Sequence, residues 1–170
     1  AMLRDEGISL KLDVAGDGPF RQKIVRQVEQ LDLSSQVRFL GHLSHDELLA
    51  RMGAGDWDLV VLPSVVADDG AKEGIPVALM EAMSFGIPVV STNTGGIREL
   101  VGDDGGCLVP QRDPRALADA VKLVVTNHPL RRAMALAGRR RVDREFAIDV
   151  AVERLLQLFQ PAPRPTVAVR

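Results

Sequence analysis

Two carboxylates eight positions apart, Glu73 and Glu81, are the residues of this chain whose type and spacing best suit ligand chemistry. Between them, Pro76 predicts the first turn of a helix that runs through Met83, because the missing N–H of proline would be unpaired there anyway. The free N–H groups of a helix N-terminus attract anions. An anion-binding helix start with a carboxylate on either side suits a long ligand. Such a ligand has a phosphate in its middle and hydroxyls at both ends, as a nucleotide-sugar does.

Glu81 has an unusual environment for a charged side chain. It is expected roughly 7–8 Å along the helix axis from the helix start, and its neighbours in sequence are apolar. An ionised carboxylate in such surroundings is costly to desolvate unless a donor hydrogen-bonds it. Simpler interpretations stay open at this point, with Glu73 as a surface loop residue and Glu81 paired with Arg98.

Composition limits the class of protein. The 170 residues carry a net charge of −2, one cysteine and three scattered histidines. This predicts one domain with no nucleic-acid surface, no disulfide and no bound metal. No apolar run reaches membrane-spanning length and no signal peptide opens the sequence, so we expect a cytoplasmic protein without a membrane span.

Strands and helices are predicted to alternate, which favours an α/β fold: a Rossmann-like, three-layer parallel sheet with helices on both faces. Strands are expected at 9–15, 37–41, 58–62, 87–91 and 106–109. Helices are expected after Pro19, with Phe20, Ile24, Val28 and Leu31 on one face, after the Ser44–Glu47 capping box, after the Asp113 cap, and over 129–145 and 147–160. Residues 1–160 form the predicted domain, and 161–170 a disordered, proline-rich tail.

Three loops that follow strands, 41–43, 64–75 and 92–96, hold the most unusual residues. Ligands of parallel sheets bind beyond the carboxyl ends of the strands. The three loops are therefore expected at one edge, where Gly95 and Gly96 allow either a close backbone approach to the ligand or a plain turn.

A set of short motifs carries a resemblance to a known family. They are Val14-Ala15-Gly16-Asp17-Gly18-Pro19, Val37-Arg38-Phe39-Leu40-Gly41, Leu62-Pro63-Ser64, the 73–81 segment, Pro88-Val89-Val90-Ser91-Thr92, Gly95-Gly96-Ile97-Arg98-Glu99-Leu100-Val101 and Asp113-Pro114. In this order, over roughly residues 8–160, they resemble the C-terminal, donor-binding half of the GT-B group 1 retaining glycosyltransferases (family 4). The sequence around Glu73 looks most like that of family members that build bacterial exopolysaccharides of the colanic-acid type.

This resemblance implies specific roles. Glu73 would be the catalytic-site carboxylate that holds hydroxyls of the donor sugar, and Glu81 would accept the ribose hydroxyls of UDP or GDP. The remaining donor contacts would come from the helix start and from the loop at the nucleobase: Gly74, Ile75, Pro76, Val77, His42 and Leu43. Pro76, without an N–H, could only shape the helix start. The family needs no bound metal or other cofactor.

One departure from the family pattern affects activity. Family members begin this domain with a strand and turn that carry an Arg and a Lys for the diphosphate, whereas this sequence opens on 1–7, which resembles the end of the next helix. Arg4 and Lys11 lie in the wrong local context to replace that pair. The N-terminal acceptor domain is also expected to be missing from these residues. We therefore expect weak nucleotide-sugar binding and no sugar transfer by this chain alone.

The same residues fit other classes of function less well or equally incompletely. A dinucleotide-binding dehydrogenase is disfavoured because Arg21 stands where G-x-G-x-x-G requires its third glycine. A glycosidase is disfavoured because Glu73 and Glu81 are expected about 10 Å or more apart, beyond the usual carboxylate spacing. A GT-B-type nucleotide-sugar epimerase and a non-catalytic nucleotide-sugar-binding module stay open as alternatives.

Overall fold

A computed structural model describes residues 1–159, and the predicted tail at 161–170 lies outside the described residues. The strands are β1 (Leu12–Ala15), β2 (Val37–Gly41), β3 (Val60–Leu62), β4 (Val89–Thr92) and β5 (Gly106–Val109). The helices are α1 (Met2–Asp5), α2 (Arg21–Gln30), α3 (His45–Ala54), α4 (Val77–Ser84), α5 (Ile97–Val101), α6 (Pro114–Thr126), α7 (His128–Arg141) and α8 (Ile148–Phe159), with a π-helical turn at Val142–Phe146 between the last two. No helix within residues 1–159 has the length and apolar character needed to cross a bilayer.

Every strand pairing is parallel, as predicted, but the ladders divide into two sheets. β1 pairs with β2, and β4 lies between β3 and β5. Among the described residues, no ladder joins the two sheets. The sequence indicates the order and direction of strands, whereas a ladder between distant strands depends on how the two halves pack.

Helices cover both faces of the three-stranded sheet, which confirms the three-layer prediction there. Neighbouring residues of β4 point to opposite faces, and each enters a separate core. Val89 packs with Leu79 of α4 and Ile97 of α5, whereas Val90 packs with Val124 of α6 and other residues of the second core. β4 is completely buried, as a central parallel strand should be.

The apolar face predicted for α2 is largely exposed. Phe20, Ile24 and Leu31 are exposed, Val28 is half-buried, and α2 has no buried residue. Their helical spacing defines a face correctly, but nothing in residues 1–159 buries it. Smaller differences occur at β1 and β3, which are shorter than predicted, and at Pro76, which caps α4 rather than starting it.

A hydrogen-bonded carboxylate connects the two sheets. Asp13 of β1 accepts two hydrogen bonds from its cross-strand neighbour Arg38, at 2.8 and 2.7 Å. Its Oδ2 also accepts the indole N–H of Trp57 at 3.0 Å, and Trp57 packs against the core that contains α4. These donors hold the pKa of Asp13 below its ordinary value, with Arg38 as the larger cause. The half-buried Trp57 therefore packs against this core and also contacts the first sheet.

Replacing Asp13 with alanine is expected to lower the free energy of unfolding by about 1–2 kcal/mol at pH 7, because the half-buried indole N–H of Trp57 and the guanidinium of Arg38 lose their acceptor. A lowered carboxyl pKa contributes stability above its unfolded-state value, and that contribution is lost as the pH falls through the folded-state pKa. The difference between D13A and the parent should therefore shrink under acid conditions. Urea unfolding followed by Trp57 fluorescence measures it, with the exposed Asp103→Ala as the control. Equal stability of D13A and the parent at pH 7 would contradict this role.

Candidate functional site

The Glu73 carboxylate is held at the carboxyl ends of β3 and β4. Ser64, just after β3, donates its hydroxyl hydrogen bond to Glu73 Oε2 at 2.5 Å. The hydroxyl of Thr92, the last residue of β4, donates to the carbonyl oxygen of Ser64. Two of the three predicted loops therefore meet at one edge of the sheet, and the Glu73 carboxylate is held at this meeting point by Ser64.

Gly95 and Gly96 allow the β4–α5 loop to lie directly against the chain at Glu73 and Gly74. The N–H of Gly96 donates to the carbonyl oxygen of Gly74 at 3.1 Å. A Cβ atom on Gly95 would overlap the carbonyl oxygen of Glu73, and one on Gly96 would come within 2.8 Å of the Gly74 carbonyl oxygen. The close backbone approach that these glycines permit is therefore to the chain itself.

The long loop between β3 and α4 is fixed at its other end by residues that follow β5. The N–H of Val66 donates to the side-chain oxygen of Gln111 at 2.8 Å. The guanidinium of Arg112 donates to Asp68 at 2.9 Å. The loop that carries Glu73 is thus attached to all three strands of the sheet.

The start of α4 lies between the two carboxylates in the chain. Pro76 is its N-cap residue, and no side chain within the described part of the protein caps it. Among the described residues, no side chain accepts from its first N–H groups, the arrangement that binds anions elsewhere. Val77 is exposed here, Gly74 is exposed, and Ile75 is half-buried.

Glu81 lies one turn into α4, and its carboxylate meets an imidazole. Its side chain is only 18% exposed, and its Oε1 lies 2.5 Å from Nε2 of His45, the first residue of α3. The predicted alternative, a pair with Arg98, does not occur, because that guanidinium lies 4.0 Å from Asp103 instead. The donor that the apolar surroundings of Glu81 require is therefore His45.

His45 was missed from the sequence, although a signal for its position existed. The capping box of Ser44 and Glu47 is present, with Glu47 Oε2 accepting the N–H of Ser44 at 2.9 Å. This capping box fixes His45 as the first residue of α3. The loop after β2, which leads into α3, belongs to the predicted ligand edge. The sequence does not show that α3 packs beside α4, and this packing creates the contact.

Two further predicted residues lie in the short connection between β2 and α3. His42 is exposed and Leu43 is half-buried. They stand three and two positions before His45, whose ring meets Glu81. The predicted carboxylates thus have separate partners, Ser64 for Glu73 and His45 for Glu81, and the uncapped start of α4 lies between them in the chain.

The site offers acceptors at both ends and backbone donors in the middle. A carboxylate accepts hydrogen bonds from two adjacent hydroxyls well, because it has two oxygens and about four lone-pair positions. Within residues 1–159, no group of three or more side chains could hold a metal ion. The contact with Glu81 raises the pKa of His45, mainly through the hydrogen bond and then through the charge of the carboxylate.

Comparison with known families decides which class of protein carries this site. The family described as "Glycosyl transferases group 1" matches residues 1–141. The chain belongs to this family. The group 1 assignment and the enzyme class predicted from the motifs are therefore confirmed.

Named relatives of this group 1 chain include enzymes of bacterial polysaccharide synthesis. The colanic acid biosynthesis glycosyltransferase WcaL of Escherichia coli K12 is 45% identical over 68% of this chain and 28% of its own length. The amylovoran biosynthesis glycosyltransferase AmsK of Erwinia amylovora is 32% identical over 94% of this chain and 39% of its own length. These names confirm the predicted resemblance to exopolysaccharide-type members, and the chain spans about a third of the length of such relatives.

Solved structures confirm the fold class. Sucrose-phosphate synthase of Thermosynechococcus elongatus matches with a TM-score of 0.73 at 27% identity, over 88% of this chain and 37% of that one. HepE of Anabaena, solved with UDP, matches with a TM-score of 0.75 at 24% identity, over 88% of this chain and 40% of the HepE chain. The C-terminal domain of the group 1 protein LpcC of Francisella tularensis matches with a TM-score of 0.66 at 20% identity, over 85% of this chain and 91% of that domain.

Proposed function

We propose that this group 1 chain is the donor-binding half of a retaining glycosyltransferase, which transfers a sugar from UDP- or GDP-sugar to a glycan or lipid-linked acceptor in polysaccharide synthesis. The observation that carries the proposal is the pair of carboxylates on either side of the uncapped start of α4. Glu73 would accept hydroxyls of the donor sugar and Glu81 those of the ribose. The diphosphate would lie against the N–H groups between them.

Several observations support the donor half rather than another part of such an enzyme. The loops after β3 and β4 are joined by hydrogen bonds at Glu73, just before α4, and the start of α3 meets α4 at Glu81. The chain also has the fold of a solved C-terminal group 1 domain over 91% of that domain. A structural relative is solved with UDP-glucose, and a relative of Corynebacterium glutamicum is named as a GDP-mannose-dependent mannosyltransferase.

The proposal assigns the remaining functions of the enzyme to other parts. The acceptor site and the Arg/Lys pair for the diphosphate would belong to segments outside these 170 residues. The chain itself would hold no metal or other cofactor, and the cytoplasmic location stays a prediction. Nucleotide-sugar binding without transfer is the expected behaviour of the isolated chain.

Thermal unfolding with UDP-glucose and GDP-mannose tests this function. A ligand present at a hundred times its Kd stabilises the folded state by about 2.7 kcal/mol, which raises the Tm of a domain of this size by about 5–10 °C. We expect one nucleotide-sugar to raise the Tm and none to be turned over with glycan acceptors. Tm values unchanged by all nucleotide-sugars would contradict donor binding, and turnover by the chain alone would contradict its role as one half of an enzyme.

A further inference from the structure

The contact between His45 and Glu81 contributes more to the site than to the fold. α3 and α4 already pack through apolar side chains, with Met52 in the same core as Leu79 and Met83. An ion pair whose histidine is 64% exposed adds little to stability. His45 lies instead at the ligand edge, where it hydrogen-bonds the carboxylate that is proposed to bind hydroxyls. Its effect is therefore expected on the orientation and charge of the Glu81 carboxylate.

The geometry leaves Glu81 able to bind a ligand while His45 holds it. The imidazole occupies one lone-pair position of Oε1, so Oε2 and a second position on Oε1 remain for two hydroxyls. Within residues 1–159, no other side chain hydrogen-bonds this carboxylate. His45 is therefore the side chain that sets the direction of the Glu81 carboxylate, and it is itself fixed by the capping box at the start of α3.

We infer that His45 is a positioning residue for Glu81 in nucleotide-sugar binding, and that its protonated form favours the bound state. This inference rests on the proposed function. The imidazolium aligns an ionised Glu81 for the ribose hydroxyls, and its positive charge lies beside a ligand that carries two phosphate charges. A neutral imidazole can still donate one hydrogen bond from Nε2, but it offers no charge.

The charged groups around His45 set the direction of the pH dependence. Glu81 of α4 and Asp46 of α3 both raise the pKa of His45, while His42 lies close enough to act on neighbouring Glu47. Since the pKa is raised, the protonated form persists above the ordinary value near 6.5 and is lost as the pH rises through the folded-state pKa. Affinity for a nucleotide-sugar should therefore fall over that same interval.

The test compares the affinity of UDP-glucose and GDP-mannose between pH 5.5 and 8.5 with the NMR titration of the His45 ring. These sugar diphosphates are diesters, so they lack the phosphate group that titrates near pH 6 in monoesters. In the parent, affinity should fall by about five- to tenfold across this range, at the low end of ordinary coupling between two sites. By reciprocity, saturating nucleotide-sugar should raise the pKa of His45.

Two variants and one control separate positioning from simple structure. His45→Gln retains a side-chain donor without the charge, so its affinity should equal that of the parent at high pH and lose the pH dependence. His45→Ala should bind more weakly at all pH values. His128→Gln, on α7, should behave as the parent, because His128 contacts Arg131 rather than Glu81.

The outcomes distinguish this inference from the function on which it rests. Absence of binding in the parent, or binding insensitive to Glu81→Gln, would contradict the proposed function and the inference with it. Binding that requires Glu81 but keeps the parent's pH dependence in His45→Gln would overturn the inference alone. A nucleotide-sugar that lowers the pKa of His45 would also overturn it, because His45 would then be displaced on binding.

Discussion

Replacing Glu81 with glutamine or alanine is expected to weaken nucleotide-sugar binding by about 10- to 100-fold. A charge-assisted hydrogen bond contributes about 1.5–3 kcal/mol, which corresponds to that factor in Kd. Glutamine has nearly the same shape, but it accepts at one atom only and carries no charge to pair with His45. Calorimetric titration with UDP-glucose and GDP-mannose measures the loss.

Two controls separate this loss from damage to the fold. Glu153→Gln removes a carboxylate from an exposed position on α8 and should leave the Kd unchanged. The Tm of the Glu81 variants should stay close to that of the parent, because the partner imidazole is exposed and can bind water. Unchanged affinity in Glu81→Ala, with an intact fold, would contradict the role of Glu81 in binding ribose.

Replacing Gly95 with alanine is expected to cause the largest loss of stability among substitutions at the site. Gly95 has a positive φ of 53°, and an added Cβ would overlap the carbonyl oxygen of Glu73. A left-handed non-glycine residue and a forced backbone shift cost about 2–4 kcal/mol together. This corresponds to a fall in Tm of about 4–16 °C for a chain of this size.

Thermal and urea unfolding check this prediction, with Gly18→Ala as the matched control. A Cβ on Gly18 meets no atom within 4 Å, and Gly18 is not among the glycines with positive φ. This control should therefore unfold close to the parent. Equal Tm values for Gly95→Ala and Gly18→Ala would show that the β4–α5 loop does not lie against Glu73 as described.

Local features of the fold could be predicted because their causes are local. The capping box at Ser44 and the cap at Asp113 each satisfy helix N–H groups within three residues, and both are present. β5 occurs at the predicted positions 106–109. These elements depend on short-range hydrogen bonds and on the alternation of apolar residues, which a sequence displays directly.

Features that depend on the packing of distant elements could not be predicted in the same way. The apolar spacing around Ile24 defines a helix face but does not show that an element covers it, and Ile24 is 41% exposed. Likewise, His45 and Glu81 are 36 positions apart and meet only because α3 packs beside α4. The chemistry of Glu81 was therefore inferred from its apolar neighbours, while the identity of its partner required the structure.

Glu81 is expected to accept the ribose hydroxyls of the donor nucleotide, and a cycle of ligands and variants tests this role most directly. The Kd values of UDP-glucose and GDP-mannose would be compared with those of their 2′,3′-dideoxyribose analogues, in the parent and in Glu81→Gln. We expect the parent to bind the ribose form at least tenfold more tightly and the variant to bind both forms nearly equally. The same preference for ribose in both proteins would contradict this role.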